Sequence, residues 1–112
     1  MERGADQAAG VLALRVTGPL DRDGAPAAGV ELSASARDLA PGSVLVLDLR
    51  GVSVLSSAGV RVLHELTTGL RGGGVRCALV VEPDRVQARV LRLTWPDEHL
   101  PVFASVAEAV GD

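Results

Sequence analysis

The sequence predicts an α/β fold, a single layered domain with a mixed, mostly parallel sheet and helices packed on it. The chain has 112 residues, of which 47% are hydrophobic, enough for one modest core. Val44–Leu49 is a nearly unbroken apolar run, typical of a central strand covered on both faces. The segment after Gly59 has helical spacing with an apolar stripe of Val60, Leu63, Thr67 and Leu70. Strand-like and helix-like segments alternate along the whole chain, which favours parallel strands joined by helices.

The first strand is predicted over Val11–Thr17, where apolar residues alternate loosely and several are β-branched. Gly18-Pro19-Leu20-Asp21 has the chemistry of a turn and is expected to end it. Residues 1–10 carry little pattern, and we expect them to be a disordered segment or an edge strand. Residues 11–112 are expected to form the domain.

The first helix is predicted over Ala27–Leu39, with Pro26 near its first turn and Pro41-Gly42 as its breaker. After the central strand, a short polar break places Ser56 and Ser57 at or just before the first turn of the next helix.

The second half of the chain repeats this alternation. Gly72-Gly73-Gly74 ends the middle helix, and Val75–Val81 is typical of another buried strand. Asp84 is predicted to cap a helix that runs to Leu93 and ends before Trp95-Pro96. Its apolar stripe is expected to be Val86, Val90 and Leu93. The last predicted elements are a short strand, Leu100–Phe103, and a helix, Val106–Val110, capped by Ser105.

Composition excludes several classes of function. Aromatic residues make up 2% of the chain and the net charge is −3, so binding to nucleic acid lacks both stacking side chains and a basic surface. The one cysteine, Cys77, rules out an intrachain disulfide framework and a multi-cysteine metal site, and is expected to lie in the core. No apolar run is long enough to span a membrane and no signal-peptide pattern is present, so we expect a cytoplasmic domain without membrane insertion.

The two serines at the start of the middle helix allow two interpretations. A hydroxyl there lies beside unpaired backbone N–H groups and the positive end of the helix dipole, a position that suits a phosphate carried by a ligand or by the serine itself. Serine is also a favoured residue for capping a helix. The pattern alone leaves both interpretations open.

The ordered set of motifs resembles the STAS family, which includes the bacterial anti-sigma factor antagonists. Gly18, Leu20 and Asp21 match the family's Gly-x-Leu/Ile-Asp at the end of the first strand. The signature strand and helix start correspond to Leu47-Asp48-Leu49-Arg50-Gly51-Val52 and Leu55-Ser56-Ser57-Ala58-Gly59-Val60. Where the family has Asp-Ser-Ser/Thr-Gly, this chain has Ser56 in place of the acidic residue and Ala58 in place of the second hydroxyl residue.

The resemblance implies a non-enzymatic interaction module for partner switching in transcription regulation, of the kind used in bacterial stress responses. The implied phosphoacceptor is Ser57, with Ser56 as the alternative. The implied partner is an anti-sigma factor serine kinase with a histidine-kinase-like ATPase fold, and a homodimer or an assembly of STAS domains stays open. The implied partner-binding residues are Asp21, Asp23, Ser56, Ser57, Ala58, Gly59, Arg61 and His64.

The sequence leaves two rival functions open. The replaced acidic residue favours a STAS scaffold that is never phosphorylated, in a signalling complex or in a phospholipid-transport ABC system. A small flavodoxin-like enzyme or nucleotide binder is the third hypothesis, and it lacks a base or metal ligands in the sequence.

Catalytic and metal sites are not predicted, and no cofactor is expected. A triad of Ser57, His64 and Asp48 or Asp21 lacks the Gly-x-Ser-x-Gly elbow, and the two histidines, His64 and His99, lack ligand spacing. Three arginines share one face of the Asp84–Leu93 helix, and they form either a patch for an acidic partner or a solvated surface: Arg85, Arg89 and Arg92.

Overall fold

The computed structural model describes residues 2–3 and 10–111, which form one five-stranded sheet with helices on both faces. Within these residues the elements are β1 Glu2–Arg3, β2 Val11–Leu20, α1 Ala25–Ala36, β3 Val44–Leu55, α2 Ser57–Gly72, β4 Arg76–Val80, α3 Val86–Thr94, β5 Val102–Phe103 and α4 Val106–Val110. The strand order is β1-β2-β3-β4-β5. Strands β2 to β5 are parallel to one another, and β1 pairs with β2 in the antiparallel sense. The predicted α/β fold class is therefore confirmed.

The helices are divided between the two faces of the sheet by the handedness of the crossovers. Each parallel strand lies beside the previous one, so right-handed connections place α1, α2 and α3 on the same face. The short α4 follows the last strand and packs on the opposite face, against β3, β4 and β5. The larger hydrophobic cluster therefore lies under α1–α3, and a smaller one lies under α4.

The central strand β3 is buried on both faces, as its apolar run predicts. Leu45, Leu47 and Leu49 belong to the larger cluster, whereas Val46 belongs to the smaller one. This division follows from the period-two alternation of side chains along a strand. Cys77 on β4 is buried in the larger cluster, and burial raises the pKa of its thiol to about 11, so it stays protonated near neutral pH.

Two strands are longer than their predicted ranges, and the predicted turn is displaced. Strand β2 continues through Gly18-Pro19-Leu20 because these residues pair with the last residues of β3. The pair tolerates Gly18, whose φ of +80° suits glycine, by shifting register between Gly18 and Pro19. Strand β3 correspondingly runs to Leu55 rather than to Leu49.

The other boundaries differ from the predictions by a few residues. Helix α1 starts at Ala25 rather than Ala27, because the amide of Ala25 already donates to the carbonyl oxygen of Asp21, and it ends at Ala36 rather than Leu39. Strand β4 is one residue shorter than predicted at each end, and β5 comprises only Val102–Phe103. Helix α4 has the predicted bounds, and Ser105 caps it by accepting a hydrogen bond from the amide of Glu108 at 3.2 Å.

Helix α3 corrects two predictions. Its N-cap is Arg85 rather than Asp84, with no capping hydrogen bond from the side chain. Its buried face is not the predicted stripe, because Val86 is 65% exposed and Leu93 74% exposed. The residues that it buries are Gln87, Ala88 and Leu91.

A hydrogen bond of Gln87 accounts for the face that α3 buries. Strand β3 extends past the end of β4, so its last residues have no neighbouring strand on that side. The side-chain amide of Gln87 donates to the carbonyl oxygen of Val52 at 2.7 Å and replaces part of the missing ladder. Gln87 itself is only 4% exposed.

The N-terminal prediction is covered only in part. Glu2–Arg3 form the edge strand β1, while residues 1 and 4–9 lie outside the described residues. A domain boundary at residue 10 therefore stays a prediction. Among the described helices, none combines the length and apolar character needed to cross a membrane.

Candidate interaction site at the start of helix α2

The candidate site lies where β2 and β3 end and α2 begins. Leu20 and Leu55 are register partners at the carboxyl ends of these parallel strands. The amide of Ser56 donates to the carbonyl oxygen of Leu20 at 3.1 Å, which fixes the start of α2 against the end of β2. This edge of a parallel sheet is where α/β domains usually present their binding residues.

The two adjacent serines have different roles in this geometry. Ser56 is the N-cap residue of α2 with extended backbone angles, and its half-buried hydroxyl points to the carbonyl oxygen of Leu20 at 3.4 Å rather than capping the helix amides. Ser57 is the first helical residue, is exposed, and its hydroxyl forms no hydrogen bond with any residue that the structure describes. Of the two, Ser57 is the hydroxyl that is accessible to a partner.

Gly59 holds the start of α2 close to the sheet. It is buried, and a Cβ atom at this position would overlap the carbonyl oxygen of Leu20 and lie 3.0 Å from a side-chain carbon of Leu55. A contact as short as the one with the Leu20 oxygen is essentially never seen for a real Cβ atom, and the one with Leu55 is tighter than nine in ten such contacts. Gly59 therefore lets α2 start close to the sheet, which positions the exposed Ser57, and Gly59 itself is not on the surface.

Asp21 and Asp23 lie in the turn between β2 and α1, at the same edge as the serines. The Asp21 carboxylate accepts hydrogen bonds from the amides of Asp23 at 3.1 Å and Gly24 at 2.8 Å, as in an Asx turn. Asp21 is half-buried and organises this turn, whereas Asp23 is exposed. The structure thus brings both predicted residues to the site, with Asp21 committed to backbone contacts.

A cleft of about 340 Å³ opens beside Ser57 between α1 and α2. Ser57, Ala58 and Arg61 border it, as does Arg22 from the β2–α1 turn. The first turn of α2 contains no acidic residue, so the two guanidinium groups set the charge of the cleft. Arg22 itself was not among the predicted site residues, although the turn was predicted at this edge through its neighbours Asp21 and Asp23; that the Arg22 side chain borders the cleft is seen only in the structure.

His64 faces a different neighbourhood from Ser57. Its Nε2 lies 2.8 Å from the Oδ2 atom of Asp97, and its ring packs edge-on against Trp95 with centroids 5.1 Å apart. The other carboxylate oxygen of Asp97 accepts the amide of His99 at 2.8 Å. His64 therefore joins α2 to the loop after α3, and it does not border the Ser57 cleft.

Stability at acidic pH tests the His64–Asp97 pair. The hydrogen bond from His64 and that from the backbone of His99 hold the pKa of Asp97 below its ordinary value of 3.8. A carboxyl group with a lowered pKa in the folded state stabilises the protein above its unfolded-state pKa, and this contribution disappears as pH falls through the folded-state value. We expect Asp97→Asn to be less stable than the unsubstituted protein near pH 5, and the difference to shrink as pH falls towards about 2.

Chemical denaturation across this pH range measures the effect. Glu98→Gln is the matched control, because Glu98 is the exposed neighbour and its side chain has no hydrogen bond among the described residues. Equal pH profiles for Asp97→Asn and the unsubstituted protein would contradict the prediction.

The Asp48–Arg50 pair and the arginines of α3 lie away from the Ser57 cleft. Arg50 forms a two-pronged ion pair with Asp48, through Nε at 2.9 Å and Nη2 at 2.8 Å, and this pair lowers the pKa of Asp48. Asp48 alternates with Leu47 and Leu49 along β3, so its side chain belongs to the face that α4 covers. Arg89 and Arg92 within α3 and Arg85 at its N-cap are all exposed. Among the residues that the structure describes, no group of histidine, cysteine and acidic side chains could hold a metal ion.

Comparisons with known proteins agree with this architecture. The family model of the STAS domain matches residues 4–109. A solved anti-sigma factor antagonist from Mycobacterium paratuberculosis is 27% identical, with a TM-score of 0.79 over 96% of this chain and 89% of that one. No curated protein sequence matches the chain.

Two further solved structures share the fold at lower identity. The murine anion transporter Solute Carrier 26 family member A9 is 23% identical, with a TM-score of 0.76, and matches 94% of this chain but only 18% of its own. The protein TM1081 is 20% identical, with a TM-score of 0.73 over 94% of this chain and 82% of that one. Since the matched region includes β2 and every element after it as far as Ala109 in α4, the chain belongs to the STAS domain family.

Proposed function

We propose that this STAS domain is an anti-sigma factor antagonist that is regulated by phosphorylation of Ser57. Its unmodified form binds an anti-sigma factor and thereby releases the sigma factor. The anti-sigma factor is a serine kinase with a histidine-kinase-like ATPase fold, and it phosphorylates the domain that it binds. In this role the chain is a substrate and a binding partner in the cytoplasm, without an enzymatic reaction of its own.

The exposure of Ser57 is the observation that carries this proposal. Its hydroxyl is accessible and has no hydrogen-bond partner among the described residues. The hydroxyl of the adjacent Ser56, in contrast, points to the carbonyl oxygen of Leu20. Neither the N-cap Ser56 nor Ser57 accepts a helix amide, as the N-cap Ser105 does for α4, so helix capping does not account for the pair of serines. The likeness to a solved anti-sigma factor antagonist supports the same assignment.

The modification is a phosphoryl transfer from ATP. The Ser57 oxygen attacks the γ-phosphorus, a new oxygen–phosphorus bond forms, and the bond from the γ-phosphorus to the β,γ-bridging oxygen breaks. ADP leaves, and the hydroxyl proton passes to a base of the kinase. The product carries about −1.5 to −2 charge on a surface that had none at this position, which changes the electrostatic match with the partner.

Affinity capture tests the proposal with three forms of the immobilised domain: unsubstituted, Ser57→Ala and Ser57→Asp. Bound proteins are identified by mass spectrometry. We expect the unsubstituted and alanine forms to retain the same ATPase, because neither carries charge at residue 57. The aspartate form should bind it at least tenfold more weakly. Phosphate incorporation from ATP should occur in the unsubstituted domain and be lost in Ser57→Ala.

Ala107→Asp is the matched charge control. Ala107 is exposed on α4, which packs on the opposite face of the sheet, so this substitution adds the same charge away from the site. We expect this variant to bind like the unsubstituted domain. Unchanged phosphate labelling in Ser57→Ala would reject Ser57 as the acceptor.

A second candidate is a STAS scaffold that is never phosphorylated, in a signalling complex or a phospholipid-transport ABC system. The specific observation in its favour is the motif itself, where Ser56 and Ala58 replace the acidic and second hydroxyl residues. Capture of one set of partners by all three forms, including an ABC ATPase, would favour this candidate.

A further inference from the structure

The cleft beside Ser57 has arginines on both sides. Arg61 is four residues after Ser57 on α2, and residues at this spacing are surface neighbours about 5–6 Å apart between their Cβ atoms. Arg22 approaches from the opposite side, in the turn that begins after Leu20, whose carbonyl oxygen accepts the Ser56 amide. Arg22, Ser57 and Arg61 all border the same volume of about 340 Å³.

Both guanidinium groups are uncommitted. Arg50 is held by an ion pair with Asp48, and Arg85 lies 3.7 Å from a carboxylate oxygen of Glu82. Arg22 and Arg61 are exposed and form no side-chain hydrogen bond or ion pair with described residues.

The nearby carboxylates compete weakly for these arginines. Glu65 follows Arg61 by four residues, but an acidic residue C-terminal to a basic one is the less favourable order on a helix. Asp21 already accepts two backbone amides in its turn. Asp23 is exposed next to Arg22 and is the remaining negative charge of this turn. We therefore expect Arg61 to contribute more than Arg22.

We propose that Arg22 and Arg61 together hold the phosphoryl group of phosphorylated Ser57 within the cleft. This inference rests on the proposed modification of Ser57 and adds the residues that receive it. Arginine suits the task because its planar fork of N–H donors matches phosphate oxygens in pairs. A phosphoserine of about −1.5 to −2 charge would be balanced by the two positive charges, so the phosphorylated domain gains a neutralised site rather than an isolated dianion.

The arrangement has a consequence for partner binding. In the unmodified domain the two arginines are available to acidic groups of a partner. Once they bind the phosphate, they are withdrawn from that contact, and the phosphoryl group occupies part of the cleft next to Ala58. Phosphorylation would therefore remove the two positive contacts that the unmodified cleft offers to a partner.

The second pKa of phosphoserine is the direct measure of this contact. Phosphoserine is incorporated at residue 57 by an expanded genetic code, so that no kinase is needed, and its ³¹P signal is followed by NMR from pH 4 to pH 8, a range of about two on either side of its ordinary value near 6. We expect a second pKa below about 6 in the otherwise unsubstituted domain. The pair of substitutions Arg22→Ala and Arg61→Ala should raise it by about 0.5, a threefold weakening of the acid, since an opposite charge nearby favours the ionised form.

Arg89→Ala is the control for loss of one remote positive charge, because Arg89 is exposed on α3 and borders neither Ser57 nor its cleft. Arg61→Lys should give an intermediate second pKa, since it keeps the charge and loses the paired donors. A second pKa that does not rise in the double variant, or that rises equally in Arg89→Ala, would overturn the proposal.

This experiment is independent of the capture experiment. The proposed function fails if no kinase binds or labels the domain, whatever the second pKa of phosphoserine is. The arginine contact fails if the second pKa ignores both arginines, even when a kinase labels Ser57. Circular dichroism of each variant confirms that these exposed substitutions leave the fold intact.

Discussion

Substitution of Gly59 by alanine is expected to lower the free energy of unfolding by about 3 kcal/mol, a large share of the stability of a domain of this size. The reason is steric. A Cβ atom would overlap the Leu20 carbonyl oxygen, which is backbone and already accepts the amide of Ser56. To make room, the start of α2 must move away from the end of β2. The hydrogen bond that positions Ser57 would weaken at the same time.

Gly69→Ala provides a matched control in the same helix. Gly69 is exposed, and a Cβ atom added there meets nothing within 4 Å. Alanine is a better helix former than glycine, so this variant should be more stable by about 0.5–1 kcal/mol. Urea denaturation of both variants measures the two changes. Equal effects of the two substitutions would show that α2 does not approach the sheet as closely as described.

The end of β2 illustrates which features of the fold can be predicted from the sequence and which cannot. The apolar run of β3, the stripe of α2 and the turn residues between them predict the α/β layers, because these patterns depend on local periodicity. The continuation of β2 to Leu20 depends instead on pairing with Val54 and Leu55 in β3. Gly18 and Pro19 disfavour a strand locally, and the parallel partner overrides that preference.

The candidate site shows a similar division. The position of Ser57 at the first turn of a helix follows from the polar break and the helical spacing after it. The different surroundings of Ser56 and Ser57 do not, since both are serines and only the contact with Leu20 distinguishes them. The turn that contains Arg22 is predicted at this edge through Asp21 and Asp23, but that Arg22 and Arg61 border one cleft depends on how the turn packs beside α2 and leaves no periodic signal in the sequence.

Helix α3 presents the sharpest conflict between pattern and packing. Val86, Val90 and Leu93 form the more hydrophobic stripe in the sequence, yet Val86 and Leu93 are exposed. The buried face contains the polar Gln87 because its amide satisfies the carbonyl oxygen of Val52, a backbone group with no strand beside it. Such a demand comes from the overhang of β3 and leaves no periodic signal in α3 itself.

Two leucines of α3 therefore provide a direct test of which face is buried. Leu91→Ala is expected to lower the free energy of unfolding by about 3 kcal/mol, because Leu91 is 0% exposed and its loss leaves a cavity in the main cluster. Leu93→Ala makes the identical chemical change two residues later, where the side chain is 74% exposed. It is expected to change stability by no more than about 0.5 kcal/mol.

Urea denaturation at neutral pH compares the two variants under one condition. If the sequence stripe governed the packing, the order would reverse and Leu93→Ala would be the destabilising change. The structure requires Leu93→Ala to have a free energy of unfolding more than about 2 kcal/mol above that of Leu91→Ala. The reason is that truncation of a buried leucine loses both its transfer free energy and its packing contacts. The same difference would agree with an inward-facing Gln87, because Gln87 and Leu91 are four residues apart and share one side of the helix. It would thereby support the hydrogen bond from Gln87 to Val52, which holds the last part of β3 just before the Ser57 site.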